Sequence, residues 1–149
     1  MTTQNAELSR QIFEDVWNRK NLSAIDYLIA ADYVHHDPNS PAANGIDGYR
    51  QFVNHYMSAF PDAHFTIHDA FTQGENTDVQ NEVTRWTVVG THEGELAGIP
   101  RTGRRFSVTG ISIARVANGK IIESWNNWDA LGMMQQLGIV PAEAKGRAA

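Results

Sequence analysis

The stretch Gly110-Ile-Ser-Ile-Ala-Arg-Val-Ala-Asn-Gly-Lys-Ile-Ile-Glu-Ser-Trp-Asn-Asn-Trp-Asp129 decides the fold. Two β-branched runs meet at Asn118-Gly119, the dipeptide that most readily accepts positive φ in a tight hairpin turn. The second run carries Ser124, Asn126 and Asp129, polar groups in a segment whose other residues look buried. Loop length sets which side chains share a face, because a one-residue slip turns every side chain over. A three-residue loop, Ala117-Asn118-Gly119, pairs Ser112 with Ser124. It gathers Gly110, Ser112, Ala114, Ser124 and Asn126 on one small polar face suited to a ligand cavity. A two-residue Asn-Gly turn sets Ile111 opposite Asn126 instead.

Outward from the hairpin, Phe106 to Val116 and Lys120 to Trp128 are its strands, and Ala130 to Leu137 is a final short helix. The loop from Gly90 to Arg105 holds four glycines and one proline, so no regular element is expected there. Val79 to Val89 is another strand, with Val83, Arg85, Thr87 and Val89 on one side and Glu82, Thr84, Trp86 and Val88 on the other. Phe65, Ile67 and Phe71 alternate with Thr66, His68 and Thr72 in a half-buried strand that ends in the turn Gly74 to Thr77. Before them the period is helical. Tyr49, Phe52, Val53, Tyr56 and Phe60 mark one helix, stopped at Pro61, and Leu8, Ile12, Phe13, Val16 and Trp17 mark another from about residue 5 to 19. Ser23 followed by Asp26 resembles a capping box, with Asp in place of Glu, opening a short helix through Ile25, Leu28 and Ile29. Asp32 to Asn44 is extended and irregular, since Asp37-Pro38 and Ser40-Pro41 exclude a helix. Three helices followed by long antiparallel strands predict an α+β fold in which a curved antiparallel sheet wraps the helices.

At 149 residues the chain suits a single domain, about 5–138, with a tail from 139 to 149. A net charge of -5 with scattered basic residues is a poor footprint for nucleic acid. The absence of cysteine removes disulfides, thiolate nucleophiles and cysteine metal sites. Met1 to Glu7 lacks the basic and apolar regions of a signal peptide, and no apolar run reaches membrane-spanning length. A soluble cytoplasmic protein with no membrane contact is the expectation.

Tyr33-Val-His-His-Asp-Pro38, Ala59-Phe-Pro-Asp62, Gly90-Thr-His-Glu-Gly-Glu95, Gly98-Ile-Pro-Arg-Thr-Gly103, Asn118-Gly-Lys-Ile121 and Trp128-Asp-Ala-Leu-Gly132 lie in order across roughly residues 8 to 138. Together they closely resemble the SnoaL-like polyketide cyclase (ester cyclase) family of the nuclear-transport-factor-two-like superfamily. The resemblance implies a cone: a curved antiparallel sheet closed by helices around an apolar pocket, in a homodimer or homotetramer. It also implies ring closure of a polyketide methyl ester by intramolecular aldol condensation, with no metal or organic cofactor. In the family an aspartate of the last strand is the acid/base, supported by a histidine on the neighbouring strand. Counted from the shared turn, those positions hold Asn126 and Ser112 here. Asparagine has no proton-transfer chemistry at neutral pH, so that mechanism does not carry over intact. The family's pocket aromatic on the first helix corresponds to Trp17, and a pocket position on the third helix to Phe52.

Asp129 stands where strand meets helix, and a helix cap outweighs a catalyst there because a cap needs only position. His35, His36 and Asp37 are adjacent in an extended segment, so the two histidines point to opposite sides and cannot easily share a metal ion; no metal site is expected. His36 is the preferred pocket-facing member. Arg85 either holds a substrate carbonyl or pairs with Glu82 or Glu123, structural pairing being the safer assignment. His55 is an acid/base candidate by titration range alone, and His92 is read as ordering a loop. Trp17, Phe52, Tyr56, Trp86 and Trp128 offer a flat apolar pocket, although large aromatics are more often core.

The leading expectation is a cofactor-independent cyclase or isomerase acting on a small hydrophobic carbonyl compound. Asp129, His36 or His55 would move the proton, while Asn126 and Ser112 polarise the carbonyl. The alternatives are a non-catalytic binder of small hydrophobic molecules and an epoxide hydrolase, for which only Arg85 and Asp129 stand out. Ile111, Ile113 and Trp125 should lie on the outer sheet face and drive homo-oligomerisation.

Overall fold

A computed structural model of the chain describes residues 6–40, 43–74 and 77–141. Helix α1 (Glu7–Gln11) continues as a π-helical segment, Ile12–Asn18, so the amphipathic stripe is present but wound more loosely than expected. The Arg19 N–H bonds to the carbonyl of Glu14, five residues back. Ile12, Phe13, Val16 and Trp17 are all buried, and the start of α1 is held by the buried Glu82 carboxylate, which accepts from the N–H groups of Leu8 and Ser9. A 3₁₀ turn, Leu22–Ala24, leads into α2 (Ile25–Leu28). The expected capping box does not form: the Ser23 hydroxyl donates to Asn21 Oδ1, at 2.6 Å, and neither helix start has a side-chain cap.

Strand β1 (Ile29–His36) takes in the first part of the segment expected to be irregular, Asp32 to His36, and it pairs with the last strand in parallel. Helix α3 (Gly45–Ala59) follows, then β2 (His64–Gln73), β3 (Val79–Thr91), β4 (Arg105–Ala117), β5 (Lys120–Trp128) and α4 (Ala130–Gln136). The sheet order is β1-β5-β4-β3-β2, so the sheet is mixed and open rather than purely antiparallel. Its concave side holds the core: Trp86, Val88, Val108, Ala114 and Ile121 face Trp17, Tyr49, Val53 and Phe60 of the helical layer. The Gly90–Arg105 loop is tied to the end of α3, where the Ala59 carbonyl accepts from the N–H groups of Glu93 and Gly94. His92 is fully buried in that loop, its Nδ1 accepting from the Thr102 N–H at 3.2 Å.

The β4–β5 hairpin follows neither expected register. Its turn is two residues long, Ala117 pairing with Lys120, and Asn118 and Gly119 take φ values of 55° and 75°. A bulge then intervenes: Arg115 pairs with Glu123 and Val116 with Ile121, leaving Ile122 extra. Beyond it Ser112 faces Asn126 and Ala114 faces Ser124. The expected face is therefore assembled through different pairs. A second bulge between Ile67 and Asp69 of β2 reverses the alternation, so Phe71 is exposed instead of sharing the inner side with Phe65 and Ile67.

Most of the tail expected after residue 138 lies outside the described residues, as do Met1 to Gln4, Pro41 and the centre of the Gly74–Thr77 turn. Ile139 still packs on the core. Among the described residues no helix is long and apolar enough to cross a membrane.

Gly110 is opposite Trp86 across the β3–β4 ladder, and a Cβ there would come within 2.3 Å of the indole. Gly110→Val is expected to destabilise the protein by about 1–3 kcal/mol through overpacking, read as a lower urea midpoint at unchanged slope.

Candidate functional site

Between the concave sheet face and α1, α3 and α4 lies a cavity of about 110 Å³ that opens to solvent at its mouth. Its walls are mainly rings. Trp17 and Phe52 meet edge to face at 6.0 Å, Phe65 and Trp86 at 5.0 Å, and Tyr56 and Trp128 at 6.2 Å, so the aromatic side chains brace one another around the opening.

One wall is polar, because the register beyond the Ile122 bulge turns Ser112, Ser124 and Asn126 inward. Trp86 Nε1–H donates to Ser112 Oγ at 3.0 Å, and Ser112 donates to Asn126 Oδ1 at 2.7 Å. Asn126 Nδ2 donates to Ser124 Oγ at 3.2 Å. Ser124 Oγ is 2.5 Å from the Tyr33 hydroxyl, which is 2.7 Å from His35 Nδ1. The first five of these six groups can all donate in one direction, His35 Nδ1 being the last acceptor, and they form an aligned chain across four strands. The second Asn126 N–H makes only a long contact, 3.5 Å, to the His36 carbonyl, and is the donor most readily given up to a ligand carbonyl.

At the mouth, Asp37 Oδ2 accepts from Trp128 Nε1 at 3.0 Å and from Ser40 Oγ at 3.4 Å, while Oδ1 accepts from the Asn39 N–H at 2.8 Å. Ser40 Oγ is also 2.9 Å from the Tyr56 hydroxyl. Burial raises the Tyr56 and Tyr33 pKa values and pushes Tyr49 up to about 12, so all three remain O–H groups at neutral pH.

Trp17, Phe52, Tyr56, Trp86, Ser112, Asn126 and Trp128 line the cavity. The other expected site residues do not. His36 lies on the outer side of β1, bonded to Glu123 at 2.7 Å and stacked on Trp125 at 5.2 Å; its neighbour His35 is the inward member, because Tyr33 and His35 face inward on alternate residues. Arg85 is on the outer face with an ion pair to Asp69 at 2.6 Å, and neither Glu82 nor Glu123 is its partner. His55 is exposed on the far side of Tyr56. Asp129 caps α4, accepting from the Gly132 N–H at 2.9 Å. Ser124 was placed on the polar cavity face from the sequence, whereas Tyr33, His35 and Asp37 were not assigned to the cavity. The signal was available: with Tyr33 taken as core, two-residue alternation turns His35 and then Asp37 inward.

Burial lowers the His35 pKa from 6.5 to about 4, Asp37 partly opposing the shift and His36 adding to it. The neutral ring is thus the folded form, and its Nε2 has no partner. Because the folded pKa is depressed, the unfolded chain binds the proton first, and stability is lost as pH falls from 6.5 towards 4. Urea unfolding across this window should show a loss of roughly 3 kcal/mol that His35→Gln largely abolishes.

The sequence profile of the SnoaL-like polyketide cyclases matches residues 7–137. The aklanonic acid methyl ester cyclase DnrD of Streptomyces peucetius is 47% identical over 49 residues, 33% of this chain and 34% of that protein. The match therefore spans about a third of the length of this curated relative. Among solved structures, a candidate SnoaL-like polyketide cyclase from Jannaschia sp. CCS1 superimposes with a TM-score of 0.80 at 19% identity, covering 92% of this chain and 93% of the other, a likeness of fold. IdmH of Streptomyces antibioticus, a polyketide cyclase candidate, superimposes with a TM-score of 0.72 at 30% identity, covering 91% and 99%. With the profile matched from α1 through α4, the chain belongs to the SnoaL-like polyketide cyclase family.

Proposed function

We propose that this protein is a cofactor-independent cyclase that closes a ring of a flat, hydrophobic, polyketide-like carbonyl compound by aldol-type acid/base chemistry. The observation that carries the reading is the cavity itself: aromatic walls that accept a planar ring system, with a single polar wall at Ser112 and Asn126 where carbonyl oxygens can be received. Asn126 occupies the family's aspartate position and acts as a hydrogen-bond donor through the N–H now resting on the His36 carbonyl. An epoxide hydrolase loses support, since Arg85 lies on the opposite face of the sheet from the cavity. A non-catalytic binder is the second reading, favoured by the mutual hydrogen bonding of Trp86, Ser112, Asn126 and Ser124, none of which is an acid or base at neutral pH.

The outer sheet face supplies a surface for a second copy of the chain. Phe71, Val83, Ile113 and Trp125 are consecutive partners across β2, β3, β4 and β5, making one apolar row. The Asp69–Arg85 pair flanks this row on one side and the Arg115–Glu123 pair on the other. Each flank carries both signs of charge, so two rows meeting about a twofold axis have complementary groups at both edges. A homodimer is expected in sedimentation at micromolar concentration, and Ile113→Glu should give a folded monomer.

The enzymatic reading is tested with an aromatic β-keto methyl ester as substrate, the product being an isomer of unchanged mass. Asn126→Ala should lower turnover about 10- to 100-fold, corresponding to about 1–3 kcal/mol for one lost charge-stabilising hydrogen bond. Asp129→Asn should leave turnover close to wild type, since asparagine also caps a helix. Tight retention of the ester with no isomerisation by the wild type would decide for the binder.

A further inference from the structure

Among the described residues that line the cavity, Asp37 is the only carboxylate. We propose that Asp37 is the group that takes and returns the proton in this cavity, in place of the acid/base side chain that position 126 lacks. The inference rests on the enzymatic reading above and adds the residue that performs its chemistry.

The other titratable candidates are committed elsewhere. Asp129 holds the start of α4, Glu82 holds the start of α1, and His36 and His55 face away from the cavity. His35 is sealed among Tyr33, Tyr49 and Phe52 behind the cavity wall, its Nδ1 already bonded to Tyr33. Asp37 instead stands at the end of β1, where the chain leaves the sheet at Pro38. A turn fixes its carboxylate through the Asn39 N–H and the Ser40 hydroxyl, and Trp128 Nε1 fixes it from the end of β5. All three donors are neutral. Asp37 takes part in no ion pair among the described residues, so no cation competes for the lone pair that would accept a proton. Asn126 is close by, its amide resting on the carbonyl of the residue just before Asp37.

This arrangement divides the reaction between two side chains. An Asp37 oxygen removes a proton from a carbon flanked by carbonyls, and the C–H electron pair becomes an enolate whose oxygen is received by the Asn126 N–H. The enolate carbon attacks a second carbonyl of the same molecule, forming the C–C bond and leaving an alkoxide. The alkoxide takes the proton back from Asp37, restoring the carboxylate and giving a hydroxyl. Substrate and product are isomers, and no oxidant or other reactant enters.

The first half of this cycle can be read alone with 2-tetralone, a flat bicyclic ketone with exchangeable hydrogens beside its carbonyl. The protein is incubated with it in D₂O, exchange is followed by proton NMR, and binding by quenching of tryptophan fluorescence. Wild type should accelerate exchange, and Asp37→Asn should lose about 100-fold of that acceleration or more while binding 2-tetralone with the wild-type Kd. Exchange by Asp37→Asn at the wild-type rate overturns the assignment and leaves the cyclase reading standing. Binding without exchange by the wild type overturns both and leaves the binder. If Asp37→Asn does not fold, Asp37→Ala gives the same comparison: lost exchange restored by added formate supports the assignment, and undiminished exchange overturns it.

Discussion

The extra residue at Ile122 is the constraint on which the rest of the structure depends. A two-residue turn at Asn118-Gly119 without a bulge would place Ile111 opposite Asn126 and put the isoleucines of β4 on the concave side with the polar residues of β5. The bulge adds one position to β5 and brings Ser112 opposite Asn126, so that Gly110, Ser112, Ala114, Ser124 and Asn126 all face the helices. Ile111 and Ile113 then point outward, exposed, on the opposite face. A single unpaired residue thus sets the β4–β5 part of both the polar cavity wall and the apolar outer row, and the β2 bulge adds Phe71 to that row.

Turning hydroxyls and an amide into an aromatic cavity has an energetic consequence. Each buried polar group must find a partner or lose about 1–3 kcal/mol. The aligned chain from Trp86 to His35 meets that requirement across β3, β4, β5 and β1. It ends on a histidine whose buried Nε2 is unpartnered, and burial holds that ring neutral. A charged His35 would reverse the donor order at Tyr33, because a protonated ring has no lone pair to accept with. The direction of the whole chain, including which Asn126 atom is left for a ligand, is therefore linked to the neutrality of one side chain at its end.

The fold was largely legible in the sequence, because its signals are local. The apolar stripes of α1 and α3, the strands β2 to β5 and the hairpin turn follow from periodicity and turn chemistry within short windows. What the sequence hid is non-local. The start of β1 at Ile29 was read as helix and the rest as extended and irregular, because Asp37-Pro38 and Ser40-Pro41 exclude a helix without identifying a strand, and its pairing partner lies some ninety residues away. Missing the strand meant missing its parity, which is why His36 was preferred to His35 and why Asp37 was passed over. Phe71 and the hairpin pairs failed for a related reason: a bulge shifts alternation by one without any mark that composition reveals. Arg85 was correctly seen as needing a partner, but the partner, Asp69, is set by the same bulge in β2.

The distribution of carboxylates follows a division of labour. Glu82 and Asp129 sit at the starts of α1 and α4, where free N–H groups and the positive end of the helix favour an anion. Asp62 holds the end of β3 through the backbone and hydroxyl of Thr91, both at 2.7 Å. These three fix the elements that enclose the cavity, and a carboxylate used in that way cannot move to meet a ligand without releasing the backbone it holds. Asp37 is bound differently. Its donors are an indole, a hydroxyl and the turn that contains it, and no helix depends on it. An aromatic-lined cavity offers little to hold a polar ligand in register, so orientation falls to the few polar atoms it contains. With Asn126 near one strand end and Asp37 just past the neighbouring one, those atoms include one donor amide and one acceptor carboxylate, which is the minimum needed to place a carbonyl and the hydrogen beside it at the same time.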